Sequence, residues 1–125
     1  MISLEEVLQI HELLIKRFGG TLGLRDKRLL ESSIQRPFAT FDGVELYPTS
    51  VEKAAALAES IVTNHPFIDG NKRVGYTLMR LMLLFDDFDI STSEDEKYQI
   101  VIRIAEGKAD FQEIKKWIQE NLKKI

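Results

Sequence analysis

At 125 residues, 44% of them hydrophobic and 30% charged, the chain has the make-up of one folded domain over 1–125, neither disordered nor long enough for two cores. A formal net charge of −3 excludes a general basic field, so no direct nucleic-acid partner is expected and any polyanion site must be local. The absence of cysteine rules out disulfide and thiolate chemistry and fits a cytoplasmic location, and the acidic start Met1-Ile2-Ser3-Leu4-Glu5-Glu6 lacks the basic and apolar pattern of a secretory signal.

Ser3-Leu4-Glu5-Glu6 is a capping box and opens a helix over 3–18, with Val7, Ile10, Leu13 or Leu14 and Phe18 as its buried stripe and Gly19-Gly20 as its stop. His11 on this helix reads as a packed or solvated side chain. After a loop, Leu29, Leu30 and Ile34 mark a short helix over 27–35, ended by Arg36-Pro37 because the residue before proline leaves the helical region. Asp42-Gly43 lies between two short aromatic and β-branched runs, which predicts a small hairpin over 38–47.

A second box, Thr49-Ser50-Val51-Glu52, opens an alanine-rich helix able to approach a neighbour closely. Residues 71–85 then read as a helix that is apolar nearly all round and belongs at the centre; Arg80 interrupts its apolar run, which is well short of the about 20 residues of a membrane span. Asp86-Asp87-Phe88-Asp89 reads as a polar break whose aspartates lack metal-loop spacing. Ser93-Glu94-Asp95-Glu96 caps a helix ending at Gly107. A last helix from Asp110 carries Phe111, Ile114, Trp117, Ile118 and Leu122 on one face and Lys115, Lys116, Lys123 and Lys124 towards its C-terminus. The expected fold is all-α: six helices in a compact bundle, with one small β-hairpin.

The chemistry is concentrated in His65-Pro66-Phe67-Ile68-Asp69-Gly70-Asn71-Lys72-Arg73. Gly70, Asn71, Lys72 and Arg73 fall at the first turn of the central helix, where free backbone N–H groups and the positive dipole end attract an anion. Lys72 and Arg73 add charge, and Gly70 allows close approach. Asp69 beside those donors would repel a bare phosphate, so a divalent cation such as Mg2+ is expected between carboxylate and phosphates. His65 is placed to take a proton from an incoming hydroxyl, and Phe67 to anchor the loop in the core.

This string resembles the signature of the Fic/Doc family, His-x-Phe-x-Asp/Glu-Gly-Asn-Gly/Lys-Arg, at every defined position. Ile10-His11-Glu12, Phe18-Gly19-Gly20, Gly23-Leu24-Arg25-Asp26 and Leu30-Glu31-Ser32 resemble the N-terminal half of the shorter, Doc-type members. The resemblance implies a compact helical domain in which His65 is the base, Asp69 binds Mg2+, and Gly70, Asn71 and Arg73 hold the phosphates of ATP. Fic AMP-transferases carry glycine at the position of Lys72. Doc-type toxins carry lysine there, which implies a reversed nucleotide and transfer of the γ-phosphoryl group, with AMP transfer as the alternative.

For Doc-type toxins the implied target is a threonine of elongation factor Tu, with arrest of translation and neutralisation by a Phd-type antitoxin. The segment around Asp42 and Gly43 falls where the family has its target-docking flap, suited to β-addition. The family's inhibitory motif Ser/Thr-x-x-x-Glu-Gly/Asn is not met, since Ile102 precedes Glu106-Gly107 and Lys116 precedes Glu120-Asn121; any restraint is expected from a separate chain. From a different class, the remaining reading is a silent binding module that keeps the fold without the chemistry.

Overall fold

A computed structural model describes residues 2–125. Its helices are α1 (Leu4–Phe18), α2 (Lys27–Gln35), α3 (Ser50–Asn64), α4 (Asn71–Leu84), α5 (Glu94–Ala105) and α6 (Phe111–Glu120), with a 3-10 turn at Arg36–Phe38. Strands β1 (Thr40–Phe41) and β2 (Val44–Glu45) form the expected hairpin, while β3 (Phe88–Ile90) and β4 (Leu122–Lys124) form a second antiparallel ribbon. None of the helices among the described residues is long and apolar enough to cross a membrane.

The helix starts follow from short polar side chains that satisfy first-turn N–H groups. Ser3 Oγ accepts from the Glu6 N–H while Glu6 Oε1 accepts from the Ser3 N–H, the complete box. Thr49 and Ser93 cap α3 and α5 with their hydroxyls alone, and Asp26 and Asp110 cap α2 and α6 with their carboxylates. At Thr49 the glutamate turns to the hydroxyl instead, taking its O–H at 2.8 Å.

α3 and α4 make the centre. α3 buries Ala54, Ala55, Ala56, Leu57, Ala58 and Ile61, and α4 buries Val74, Leu78, Met79, Met82 and Leu83. The expected central helix therefore shares its position with α3, which is the more enclosed. Gly75 permits the contact: a Cβ there would lie 2.6 Å from Val62 Cγ2. On α1 the buried stripe is Val7, His11 and Ile15, spaced by four; Ile10 and Leu14 pack partly buried against the core, while the alternative Leu13 and the expected Phe18 point outward, at 66% and 53% exposed.

The second ribbon corrects the reading of both its segments. Asp86-Asp87-Phe88-Asp89 is a turn with Asp87 at φ 63 that leads into β3, and Leu122, Lys123 and Lys124 belong to β4 rather than to the last helix. Asn121, at φ −117 and ψ 13, ends α6 and sends the chain back along Phe88–Ile90. Asp89 accepts a two-pronged contact from Arg80, Nε at 2.7 Å and Nη2 at 2.9 Å, which holds its carboxyl below the ordinary range. Its acidic neighbours form no metal-binding group among the described residues.

The Gly75 contact gives a direct test of the α3–α4 pair. Gly75→Val would drive two methyl groups into Val62 and is expected to lower stability by about 2 kcal/mol in denaturant titration; wild-type stability would show that the helices are less closely apposed.

Candidate active site

The loop between α3 and α4 is built around a buried aromatic ring. Phe67 is 1% exposed and stacks on His11 of α1, ring centroids 3.8 Å apart and 9° from parallel. His11 Nε2 lies 2.8 Å from the Asp69 carbonyl and donates to it, so a histidine outside the loop fixes both its apolar anchor and its acidic residue. Leu24 bridges to Phe67, the Ile68 N–H donates to the Gly23 carbonyl at 3.0 Å, and the Arg25 and Asp26 N–H groups both donate to the Pro66 carbonyl. The loop between α1 and α2 thus runs alongside the His65 loop as a short two-stranded pairing.

Asn71 closes the turn from the other side. Its Oδ1 accepts from the Phe67 N–H and its Nδ2 donates to the Phe67 carbonyl, both at 2.9 Å, which orients the amide unambiguously. Nδ2 also donates to His65 Nδ1 at 2.9 Å. With Nδ1 accepting, the neutral imidazole at rest carries its proton on Nε2, on the side away from Asn71. The Asn71 side chain, 4% exposed, is committed within the loop, so its contribution to an anion site is its backbone N–H in the first turn of α4.

His65, Asp69, Gly70, Asn71, Lys72 and Arg73 all line one cleft of about 460 Å³, closed on the far side by Lys97, Tyr98, Val101 and Ile102 of α5. His65, Asp69, Lys72 and Arg73 are exposed. Gly70 caps α4 at φ 82, a left-handed conformation natural to glycine. The Arg73 guanidinium stacks 4.1 Å from the Phe18 ring centroid, a use for an aromatic side chain that α1 leaves in solvent. Tyr76 also lines the cleft; its hydroxyl is buried without a partner, and burial pushes its pKa up to about 12, so it stays a neutral donor.

The Asp69 carboxylate accepts from the Thr21 N–H at 3.0 Å through Oδ2 and from the Gly70 N–H at 2.9 Å through Oδ1. A Cβ on Gly20 would lie 2.6 Å from Oδ2, so glycine is what lets the carboxylate seat against that loop. One oriented carboxylate beside a helix N-terminus suits Mg2+, which takes few protein ligands and completes its shell with phosphates and water.

Asp42 and Gly43 are not part of this cleft. They form the tip of the β1–β2 hairpin, at φ 51 and φ 76, and Phe41 and Val44 beside them are 71% and 67% exposed. A second, open depression of about 620 Å³ runs from Thr40 past Arg36 and Ser60 to Asn64, the residue before His65. The hairpin base is tied to α3 by Arg36, which donates to Tyr47 Oη at 3.1 Å and Ser60 Oγ at 2.9 Å and pairs with Glu59 at 2.8 Å.

Residue types alone did not assign supporting roles to His11, Gly20, Thr21 or Arg25. For Gly20, Thr21 and Arg25 the signal was the glycine spacing Gly19-Gly20 and Gly23, which marks close backbone approach; His11 carried none. Two outcomes test the Asn71 contacts. Nitrogen-15 spectra of neutral His65 should show the Nε2–H tautomer, and the Nδ1–H form would contradict the amide orientation. Asn71→Ala, which unpairs both buried polar groups of Phe67, should destabilise the fold by about 1–3 kcal/mol for each of the two groups in thermal or denaturant unfolding.

Comparison with known proteins gives the family of the chain. The Fic/DOC family model matches residues 1–83, which include α1 to α3, the His65 loop and most of α4. Toxin Doc of Mycolicibacterium smegmatis (strain ATCC 700084 / mc(2)155) is 40% identical over 92 residues, covering 69% of this chain and 71% of that protein. The chain belongs to the Fic/DOC family.

Proposed function

We propose that this chain is a Doc-type toxin that transfers the γ-phosphoryl group of ATP to a hydroxyl of a target protein. The observation that carries the proposal is the shared cleft wall, where His65, Asp69 and the Lys72-Arg73 pair surround the N-terminus of α4. The first-turn N–H groups, Lys72 and Arg73 bind the phosphates, and Asp69 would hold Mg2+, which would supply neutralisation of the phosphate charge. The target hydroxyl oxygen attacks the γ-phosphorus, the bond to the β-phosphate oxygen breaks, ADP leaves, and His65 takes the hydroxyl proton. Accepting that proton at Nε2 calls on the tautomer with Nδ1 protonated, so the ring turns off the Asn71 Nδ2 while the amide keeps its two contacts to Phe67.

Lys72 supports γ-phosphoryl rather than AMP transfer, because its side chain occupies part of the anion cradle that a glycine would leave open. The target segment enters along the β1–β2 hairpin, where Phe41 and Val44 are exposed and the neighbouring depression reaches Asn64, the residue before His65. The proposed target is a threonine of elongation factor Tu in the cytoplasm. The restraining partner is a Phd-type antitoxin supplied as a separate chain, a proposal supported by the likeness to a protein named Toxin Doc.

Incubation with ATP labelled at the α- or γ-position separates the readings. Label on elongation factor Tu from the γ-position only, lost in His65→Ala with growth arrest lost alongside it, is the expected result. Label from the α-position would establish AMP transfer instead. An arrest that persists unchanged in His65→Ala would point to a binding module without catalysis.

A further inference from the structure

We infer that Arg25 is a positioning residue for His65, acting through the backbone rather than the ring. Arg25 Nε donates to the His65 carbonyl and Nη2 to the Asn64 carbonyl, each at 2.6 Å. One planar guanidinium therefore bridges two successive carbonyls at the C-terminal end of α3, where free carbonyls and the negative dipole end favour a cation. Among the described residues, Arg25 is the sole donor to either carbonyl.

The need for such a clamp is written in the local sequence. His65 adopts φ 50 and ψ 55, a left-handed conformation that side chains with a Cβ disfavour. The following residue is Pro66, whose ring biases its predecessor towards extended backbone. Two independent preferences thus oppose the turn that brings the His65 ring into the cleft. Its own N–H contributes a long contact to the Ile61 carbonyl at 3.3 Å, and the Asn71 amide holds the ring at 2.9 Å. The short guanidinium contacts are what hold the peptide itself.

Arg25 is in turn rigidly placed. Leu24 before it bridges to Phe67, its own N–H donates to the Pro66 carbonyl at 2.8 Å, and Asp26 after it caps α2. Asp69 is held separately by His11 and Thr21, and the start of α4 by the two bonds between Asn71 and Phe67. Loss of the guanidinium therefore releases His65 towards the extended backbone that Pro66 favours while the anion cradle stays formed. The catalytic consequence of this inference rests on the function proposed above; the conformational one does not.

The test uses the purified full-length chain with Arg25→Ala, Arg25→Lys and, as a control for stability alone, Ile118→Ala, a core truncation in α6. In wild type, a strong intraresidue HN–Hα cross-peak should report the positive φ of His65. It should weaken in Arg25→Ala, weaken less in Arg25→Lys, and persist in Ile118→Ala at a matched loss of melting temperature. With γ-labelled ATP and elongation factor Tu, kcat should fall by about tenfold or more in Arg25→Ala while KM for ATP stays within about twofold. If Arg25→Ala does not fold, Arg25→Lys carries the same comparison. A His65 cross-peak unchanged in the folded Arg25 variants, or lost equally in Ile118→Ala, would overturn the inference. Absence of transfer by the wild type would count against the proposed function and leave the cross-peak to decide this one.

Discussion

The amide of Asn71 is the contact on which the rest of the cleft depends. It uses both of its ends on Phe67 and spends a second N–H on His65, so a single buried side chain joins the start of α4 to the whole loop before it. Left without it, the Phe67 peptide would hold a buried donor and acceptor unpaired, at a cost of about 1–3 kcal/mol for each group. Phe67 then carries the constraint inward to His11, and His11 returns it to the Asp69 carbonyl. His65, the Asp69 carboxylate and the N-terminus of α4 are linked by one closed circuit.

That circuit works because α3 and α4 are a stiff pair. Gly75 on α4 faces the Val62 and Ile61 side chains and the Ala58 carbonyl of α3, and its missing Cβ is what lets the Val62 side chain seat against the α4 backbone. The loop that joins them consequently has fixed ends and must turn sharply, which it does through left-handed residues at His65 and Gly70. Glycine takes such a conformation freely and histidine does not, which is why the second loop, from Gly19 to Asp26, is pressed against the first. Its glycines let Asp69 and Ile68 approach, and its arginine reaches the carbonyls on either side of the turn.

Much of this was legible in the residues. The helix caps, the alanine-rich α3, the Asp42-Gly43 hairpin and the clustering of His65 with Asp69 and Lys72-Arg73 all follow from local rules of propensity, capping and charge, and the structure contains each of those elements. What was illegible depends on long-range pairing. Strands β3 and β4 are each three residues long, too short to show a period of two, and their pairing spans the whole of α5 and α6. His11 had no local feature to separate a buried stacking partner from a solvated one, because the decisive neighbour, Phe67, is far along the chain. Phe18 fitted a helical stripe by spacing but lies beyond the packed part of α1, where it meets Arg73 instead.

The N-terminus of α4, with Asp69 and the Lys72-Arg73 pair, is the proposed seat for the phosphates of Mg2+-bound ATP. Amide chemical shifts of the full chain, followed during titration with ATP in the presence and absence of Mg2+, test it most directly. The account predicts that Asn71, Lys72 and Arg73 shift together at low ATP, and that Asp69→Asn abolishes the part of the affinity that requires Mg2+. Saturable ATP binding with its largest shifts outside the His65 cleft, or no binding at millimolar ATP, would contradict it.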